Sequence, residues 1–391
     1  MNGPVSLPLD GCPLSPSPSL AAWREESSAR RMTFSDGHIG WLVTDYHLGR
    51  KVLENPAFSQ VPMRFPGPTE DFPDETLWDV DEQSRLAKVA DILGTDGATH
   101  QRLRRTIAPK FSVRSARAHE PAIAKIVANQ IGHLQAHGSP VNLHEEFSEP
   151  ISAAVHCHIL GIPAHMAEEF SELFVGPGEP VRRVDLIRRV IEHHQESPGE
   201  GVVSELLASE LTAAEVEGLV GALFSSGRDS VAYMISTAMV ALLTHPQQLA
   251  LLRRNPYLLP GAIEEFMRFG TMFLTLFPRT ATENVEIDGC VFKKGESISV
   301  SPVASNRNPE IYTDPDVLDI ERDARGHLGF GHGIHGCVGQ QVARVEIRLA
   351  IEQLVENFPE LSLVSAEQLE PRPFPHPVAI YGAGAVVVSW P

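Results

Sequence analysis

From residue 100 to about residue 361, apolar residues recur at helical spacing, and helices dominate the expected structure. Residues 100–107 form a strongly basic helix; 118–136 and 143–160 follow as amphipathic helices. Segments 164–174 and 181–196 flank the breaker Gly176-Pro177-Gly178. Thr212-Ala213-Ala214-Glu215 is a capping box before an apolar run that continues to His245 and stops at Pro246. At about 1.5 Å per residue that run spans roughly 50 Å, and a helix so apolar on all sides is buried. Its middle, Ser225-Ser226-Gly227-Arg228-Asp229-Ser230, is polar. Glycine with serine predicts a bend or an opened groove there.

Strand-like patterning appears near the two ends and in one interior stretch. Residues 21–29 read as a short helix, and 32–43 alternate around a turn at Asp36-Gly37. Residues 62–97 form a long connection, acidic and proline-rich at its start, with a short helix at 86–93. Residues 282–300 carry short strands with turns at Asp288-Gly289 and Lys294-Gly295, and 371–390 alternate around Gly382 and Gly384. There is no internal repeat and no dividing linker. The expected fold is mainly α with small peripheral β-sheets, one large domain over 21–391 behind a flexible segment at 1–20.

Composition narrows the function classes. Of 391 residues, 42% are hydrophobic and 21% charged, as in ordinary globular proteins, and the net charge of −18 argues against nucleic acid or anionic membrane as a partner. Residues 1–20 have no apolar run long enough to cross a bilayer and no signal-type core. The four cysteines (Cys12, Cys157, Cys290 and Cys337) have neither metal-site nor disulfide spacing, which fits a reducing cytoplasm.

One cysteine stands in a special setting. Phe330-Gly331-His332-Gly333-Ile334-His335-Gly336-Cys337-Val338-Gly339 is a glycine-rich loop ahead of a helix-patterned run, 340–358. Glycines allow close approach to a flat ligand, and a helix start favours a thiolate. A thiolate of this kind can be the axial ligand of haem iron. The motif Phe-Gly-x-Gly-x-His-x-Cys-x-Gly, followed by Ala343-Arg344, resembles the haem-binding loop of the cytochrome P450 family. The resemblance covers the chain well from residue 100 onward and the first hundred residues more loosely.

That resemblance assigns further residues. Cys337 is the expected ligand of haem b, with Phe330, Gly331 and Gly339 shaping its loop. His100, Arg104, Arg279 and His335 match propionate-binding positions, where anionic groups want cations and donors. Glu265 and Arg268, three apart on one helix face, match a buried Glu-x-x-Arg scaffold that Arg322 completes; Glu264 is one residue out of register and is set aside. Ser226-Gly227-x-Asp229-Ser230 is similar to the oxygen-activation motif, with Ser226 where Ala is usual and Ser230 where Thr is usual. Asp229 is the expected proton relay, and Ser230 keeps a hydroxyl for the distal oxygen. Leu223, Phe224, Ser226, Met272, Phe273, Leu274 and, with Pro377, Val378 are pocket candidates, with core packing an equal alternative. Residues 62–97 and the helices around 176–178 correspond to the loop and lid helices over the active site.

The implied protein is a soluble, bacterial-type haem-thiolate enzyme. Hydroxylation or epoxidation of a small secondary metabolite is the first reading. Oxidative coupling or cyclisation of an aromatic alkaloid or cyclic dipeptide is the second, and a non-catalytic haem sensor a distant third. Electrons are expected from a ferredoxin or flavodoxin and its NAD(P)H-dependent reductase, because no flavin or nicotinamide domain is fused to the chain. Arg102, Arg105 and Lys110 are candidates for a basic docking patch.

Overall fold

The computed structural model describes residues 3–8, 10–34, 37–61, 80–175, 180–366, 372–373 and 379–391. Helices make up most of it, and the sheets are peripheral. The five-stranded sheet runs in the order Ala29–Thr33, Ile39–Val43, Ser297–Val300, Arg279–Ala281, Phe58–Ser59, with the second and third strands parallel. A three-stranded sheet joins Ser362–Ala366, Val386–Ser389 and Val141–Asn142. The hairpin Val285–Ile287/Cys290–Phe292 turns at Asp288-Gly289, both in left-handed conformation with φ of 51° and 76°.

The main core lies between the helices. Val113–His137 and Gln340–Asn357 pack along each other, and Glu149–Leu160 and Arg228–Thr244 close the bundle. Fully buried Ile123, Val127, Ile151, Ile235, Leu242, Ile351 and Leu354 supply the apolar faces. A smaller core under the five-stranded sheet contains Val43, Leu48, Val52, Ile298 and Leu328, the last being the residue that leads into the cysteine loop.

Several boundaries differ from expectation for local reasons. The first helix is Pro18–Glu26, not 21–29, because Ser17 caps it and Pro18 starts it, while Ala29 is already in a strand. Residues expected to be flexible are tied down: Val5 bridges Met32, Gly11–Cys12 pairs with Ser15–Pro16, and Leu20 is in the core. The short helix expected at 86–93 is Glu82–Ala87, started by the Asp81 carboxylate, which accepts from Ser84 N at 2.8 Å. The largest correction is in the long helix. It is two helices, Ala213–Phe224 and Arg228–Thr244, separated at 225–227, with Gly227 left-handed at φ 92°. The capping box of Thr212 and Glu215 is present. The breaker at 176–178 and the early part of the loop, 62–79, lie outside the described residues.

Candidate functional site

The cysteine loop is a sequence of tight turns. Phe330 O accepts from Cys337 N at 2.8 Å, closing the loop, and Gly331 and Gly333 are left-handed at φ 68° and 72°. A Cβ on Gly333 would sit 2.5 Å from Leu53 O, so only glycine fits there. The helix proper begins at Gln340, three residues past Cys337. Cys337 has accessible surface although the surrounding protein encloses its thiol, as expected of a side chain opening onto an internal cradle. Burial pushes that thiol up from its ordinary value, against the Gly339 and Gln340 N–H groups, Arg104 and Arg344. Burial and the helix start thus act on the thiol in opposite directions, and a coordinated metal would add to the helix start by displacing the thiol's proton.

Around the loop stand the four expected cations and imidazoles. The His100 ring is buried with neither Nδ1 nor Nε2 hydrogen-bonded, 4.1 Å from the His335 ring. Burial first, then the charges of His335 and Arg104, lower His100 to about 4, so it is neutral at physiological pH. Arg279 is buried with Nε unpartnered, and burial lowers it to about 10. Arg104 donates from Nη2 to Gly336 O, inside the loop. His335 Nε2 lies 2.7 Å from Asp96 Oδ1. Buried donors without acceptors are costly, and this set fits an anion with several acceptor oxygens. A haem carries such anions in its propionates, and the glycine turns leave room for a flat ring, so the residues present fit that cofactor.

Behind the loop, the helix Leu259–Phe269 carries two adjacent glutamates with separate partners. Glu265 accepts from Arg268 Nε at 2.6 Å and Nη2 at 2.8 Å, from Arg322 Nε at 3.2 Å and from Asp319 N at 3.0 Å, all with no exposure of its own side chain. The sequence therefore names Glu265, Arg268 and Arg322 as a group, and the structure brings them together. Glu264, set aside above, is not idle. It binds Arg344 at 2.5 and 2.9 Å and His327 at 3.2 Å, and these bonds outweigh burial to hold its carboxyl at about 2. Arg344 in turn lies over the Phe330 ring at 4.5 Å.

On the broken helix, Asp229 is exposed and Ser230 half-buried. Asp229 lies close enough to Arg183 and His144 to raise both, against the burial that lowers them. His144 Nδ1 is 2.9 Å from Ser236 Oγ, which donates to Ser148 Oγ at 2.9 Å. The break frees the Leu223 carbonyl, which accepts from Ser226 N at 3.3 Å and Ser226 Oγ at 3.4 Å and lies 2.9 Å from His156 Nε2.

The pocket candidates separate. Phe224 is 1% exposed and packs edge-on to Phe170, Leu223 and Leu274 are core members, and Met272 is partly buried against them. Ser226 is exposed. Phe273 bridges Ile380, Leu274 N donates to Ala379 O at 2.8 Å, and Pro377 and Val378 lie outside the described residues. The basic patch is a correction: Arg102 pairs with Glu215 and Lys110 with Glu205, leaving Arg105 bonded to Gln101. An acidic chain supplies carboxylates that neutralise its own exposed arginines and lysines. Asp96 was missed because an Asp before a helix reads as a cap. It makes no cap bond and instead holds His335, Ser59 Oγ and Gln60 N.

The family model for cytochrome P450 matches residues 252–380, the stretch that carries Glu265, Arg268 and Cys337. Pentalenic acid synthase of Streptomyces avermitilis is 32% identical across 100% of this chain and 98% of its own length. The monooxygenase PikC of Streptomyces venezuelae is 32% identical over 96% of this chain and 91% of its own. Among solved structures, CYP105P2 of Streptomyces peucetius with a biphenyl compound superposes with a TM-score of 0.88 at 28% identity, covering 99% of both chains. The chain belongs to the cytochrome P450 family. It is an oxidoreductase of the monooxygenase type, and the haem-thiolate cofactor is the one its family implies. No helix among the described residues is long and apolar enough to cross a membrane.

Proposed function

We propose that this chain hydroxylates or epoxidises a small organic molecule of secondary metabolism, with haem b held through Cys337. The observation that carries the reading is the helix break at 225–227, with Asp229 and Ser230 in the first turn of the helix that follows it. When bound, the haem supplies thiolate-ligated iron, whose electron density favours O–O cleavage. His100, Arg104, Arg279 and His335 hold its propionates. Phe330, Gly331 and Gly339 would shape the loop that receives it. Asp229, exposed beside Arg183 and His144, would pass protons from water into the site. Ser230 would offer its hydroxyl as a hydrogen-bond donor on the same side of the site. Buried Phe224 and Leu223 exclude water from the apolar half of the site.

Electrons reach the haem singly from a ferredoxin or flavodoxin served by an NAD(P)H-dependent reductase, and the protein works in the cytoplasm. Relatives named 6-deoxyerythronolide B hydroxylase and pentalenic acid synthase support oxygen insertion into secondary metabolites. Ser230 in place of Thr favours the second reading, oxidative coupling, because a hydroxyl without its methyl is less fixed in rotamer.

The experiment turns over substrates found by a spectral binding screen and weighs the products: one oxygen gained for insertion, two hydrogens lost for coupling. For insertion, Asp229→Asn lowers turnover by about 10²-fold, the scale of a lost proton donor. Ser230→Ala keeps consuming reductant but releases peroxide. Wild-type coupling of reductant to product in both variants removes the two residues from the chemistry.

A further inference from the structure

The break at 225–227 is gripped from another helix. In an unbroken helix the Leu223 carbonyl would accept from the N–H four residues on, that of Gly227. Gly227 is left-handed instead, and the carbonyl accepts from Ser226 N at 3.3 Å and Ser226 Oγ at 3.4 Å, both long for hydrogen bonds. A shorter contact, 2.9 Å, comes from Nε2 of His156 on the helix Glu149–Leu160, 67 residues away in the chain. A carbonyl oxygen only accepts, so Nε2 carries the proton and the imidazole is the donor.

The rest of the ring is held as closely. A Cβ built on Gly227 would stand 3.6 Å from both Cε1 and Nδ1 of His156, so the imidazole lies against the turn at van der Waals distance. One ring therefore spans the gap, with the Leu223 carbonyl at one edge and Gly227 at the other. Its face stacks on Phe170, with centroids 5.4 Å apart and planes 13° from parallel. Phe170 has no exposed surface and meets Phe224, the last residue before the break, edge-on at 5.3 Å. Three helices thus converge on His156: its own, Ala167–Val175 and Ala213–Phe224. Stacking fixes the direction of the N–H, because the ring cannot turn from the carbonyl without losing its contact with Phe170.

We propose that His156 is a positioning residue for oxygen activation: its Nε2–H bond to the Leu223 carbonyl holds the break in the shape that presents Asp229 and Ser230. The inference rests on the assignment of those two residues to proton delivery. His156 acts through the backbone and not by contact with the reacting atoms. Without its bond the carbonyl keeps only partners from its own stretch of chain, and the turn can tighten toward a regular helical bond or open toward water. Either change turns the start of Arg228–Thr244. Consecutive helical residues point about 100° apart, so a small change of register there carries the Ser230 hydroxyl to another face.

The test uses the haem-loaded enzyme and two readouts. Amide exchange over residues 223–230, followed by mass spectrometry, reads the break itself and needs no substrate. The C–O stretch of the reduced enzyme with carbon monoxide reads the field beside that probe, and Ser230→Ala calibrates it by removing the hydroxyl alone. His156→Phe keeps a ring between Phe170 and Gly227 and removes the donor, while the carbonyl retains its Ser226 bonds, so the variant folds. Exchange quickens about fivefold, the ratio that one net hydrogen bond supplies. The C–O band moves in the direction that Ser230→Ala sets. His156→Gln restores an N–H donor and returns both readouts to wild type. His158→Ala, which cuts the 3.1 Å contact with His119 from the same helix, changes neither. Wild-type exchange in His156→Phe, a His156→Gln protein as fast as His156→Phe, or equal acceleration in His158→Ala each overturns the proposal. So does a C–O band that moves in Ser230→Ala and not in His156→Phe. A band unmoved by Ser230→Ala, with exchange quickened in His156→Phe and restored in His156→Gln, rejects the assignment of Ser230 while the hold of His156 on the break stands.

Discussion

Glu265→Ala tests whether the group behind the cysteine loop is scaffold or chemistry. The substitution removes four hydrogen bonds at once, from Arg268 Nε and Nη2, Arg322 Nε and Asp319 N. It does not strip Arg268 completely. Nη1 keeps Asn306 O at 3.0 Å and Pro315 O at 2.8 Å, Nη2 keeps Val317 O at 3.4 Å, and only Nε is orphaned. Arg322 likewise keeps the carbonyls of Thr313, Asp314 and Val317. Breaking a fully buried pair from one side costs about 3–5 kcal/mol, and the retained carbonyls place this case near about 3 kcal/mol. Against a total stability of about 5–15 kcal/mol that is a large fraction. Denaturant unfolding followed by tryptophan fluorescence gives the loss, and the ratio of haem absorbance to protein absorbance gives cofactor retention. Both fall together. A Glu265→Ala protein that keeps full haem and unfolds at the wild-type denaturant concentration refutes the scaffold reading.

Two other outcomes follow from the same geometry. Cys337→His abolishes the red-shifted Soret band of the reduced carbon monoxide complex, and survival of that band would mean that another residue is the ligand. Glu346 is buried and accepts from Ser152 Oγ at 2.7 Å. Burial, only partly offset by that bond, raises its carboxyl from an ordinary 4.5 to about 7. The folded state keeps the proton where the unfolded chain releases it, so stability falls as pH rises from about 4.5 through about 7, by about 3 kcal/mol, and stays low above that. Glu346→Gln flattens this part of the stability profile in denaturant titrations at stepped pH; an unchanged slope removes Glu346 as its source.

What the sequence made legible was what is local. Glu265 and Arg268 sit three apart, so their shared face is visible in a string of letters, and so is the capping box at Thr212. The cysteine loop is a dense cluster of glycines whose positive φ values at Gly331 and Gly333 explain their presence. What it hid was pairing at distance. Asp96 and His335 are separated by 239 residues, and Asp81 and Arg188 by 107, with nothing in either neighbourhood to announce the partner. The break at 225–227 was only half visible. Its polar residues suggested a bend, but the apolar run on either side argued for one continuous helix, and the left-handed Gly227 decided between them. The basic patch failed because a row of cations in sequence says nothing about the carboxylates that fold against it.

Glu264 shows why register alone was a poor guide to importance. Consecutive residues on a helix point about 100° apart, so neighbouring glutamates on Leu259–Phe269 face different segments. Glu265 turns to Arg268, Arg322 and the backbone of Asp319, which lie ahead of the cysteine loop. Glu264 turns to His327 at the entrance to the loop and to Arg344 on the helix beyond it. Asn306 adds a third tie, accepting from Leu328 N at 2.7 Å while donating to Thr271 Oγ1 at 2.7 Å. A Cβ on Gly329 would come within 2.9 Å of Met267 O, so the chain entering the loop rests on the backbone of that same helix. The loop that presents Cys337 is therefore positioned at its entrance and its exit by one helix. Its glycines can be chosen for the room they leave, because its placement is fixed by residues outside it.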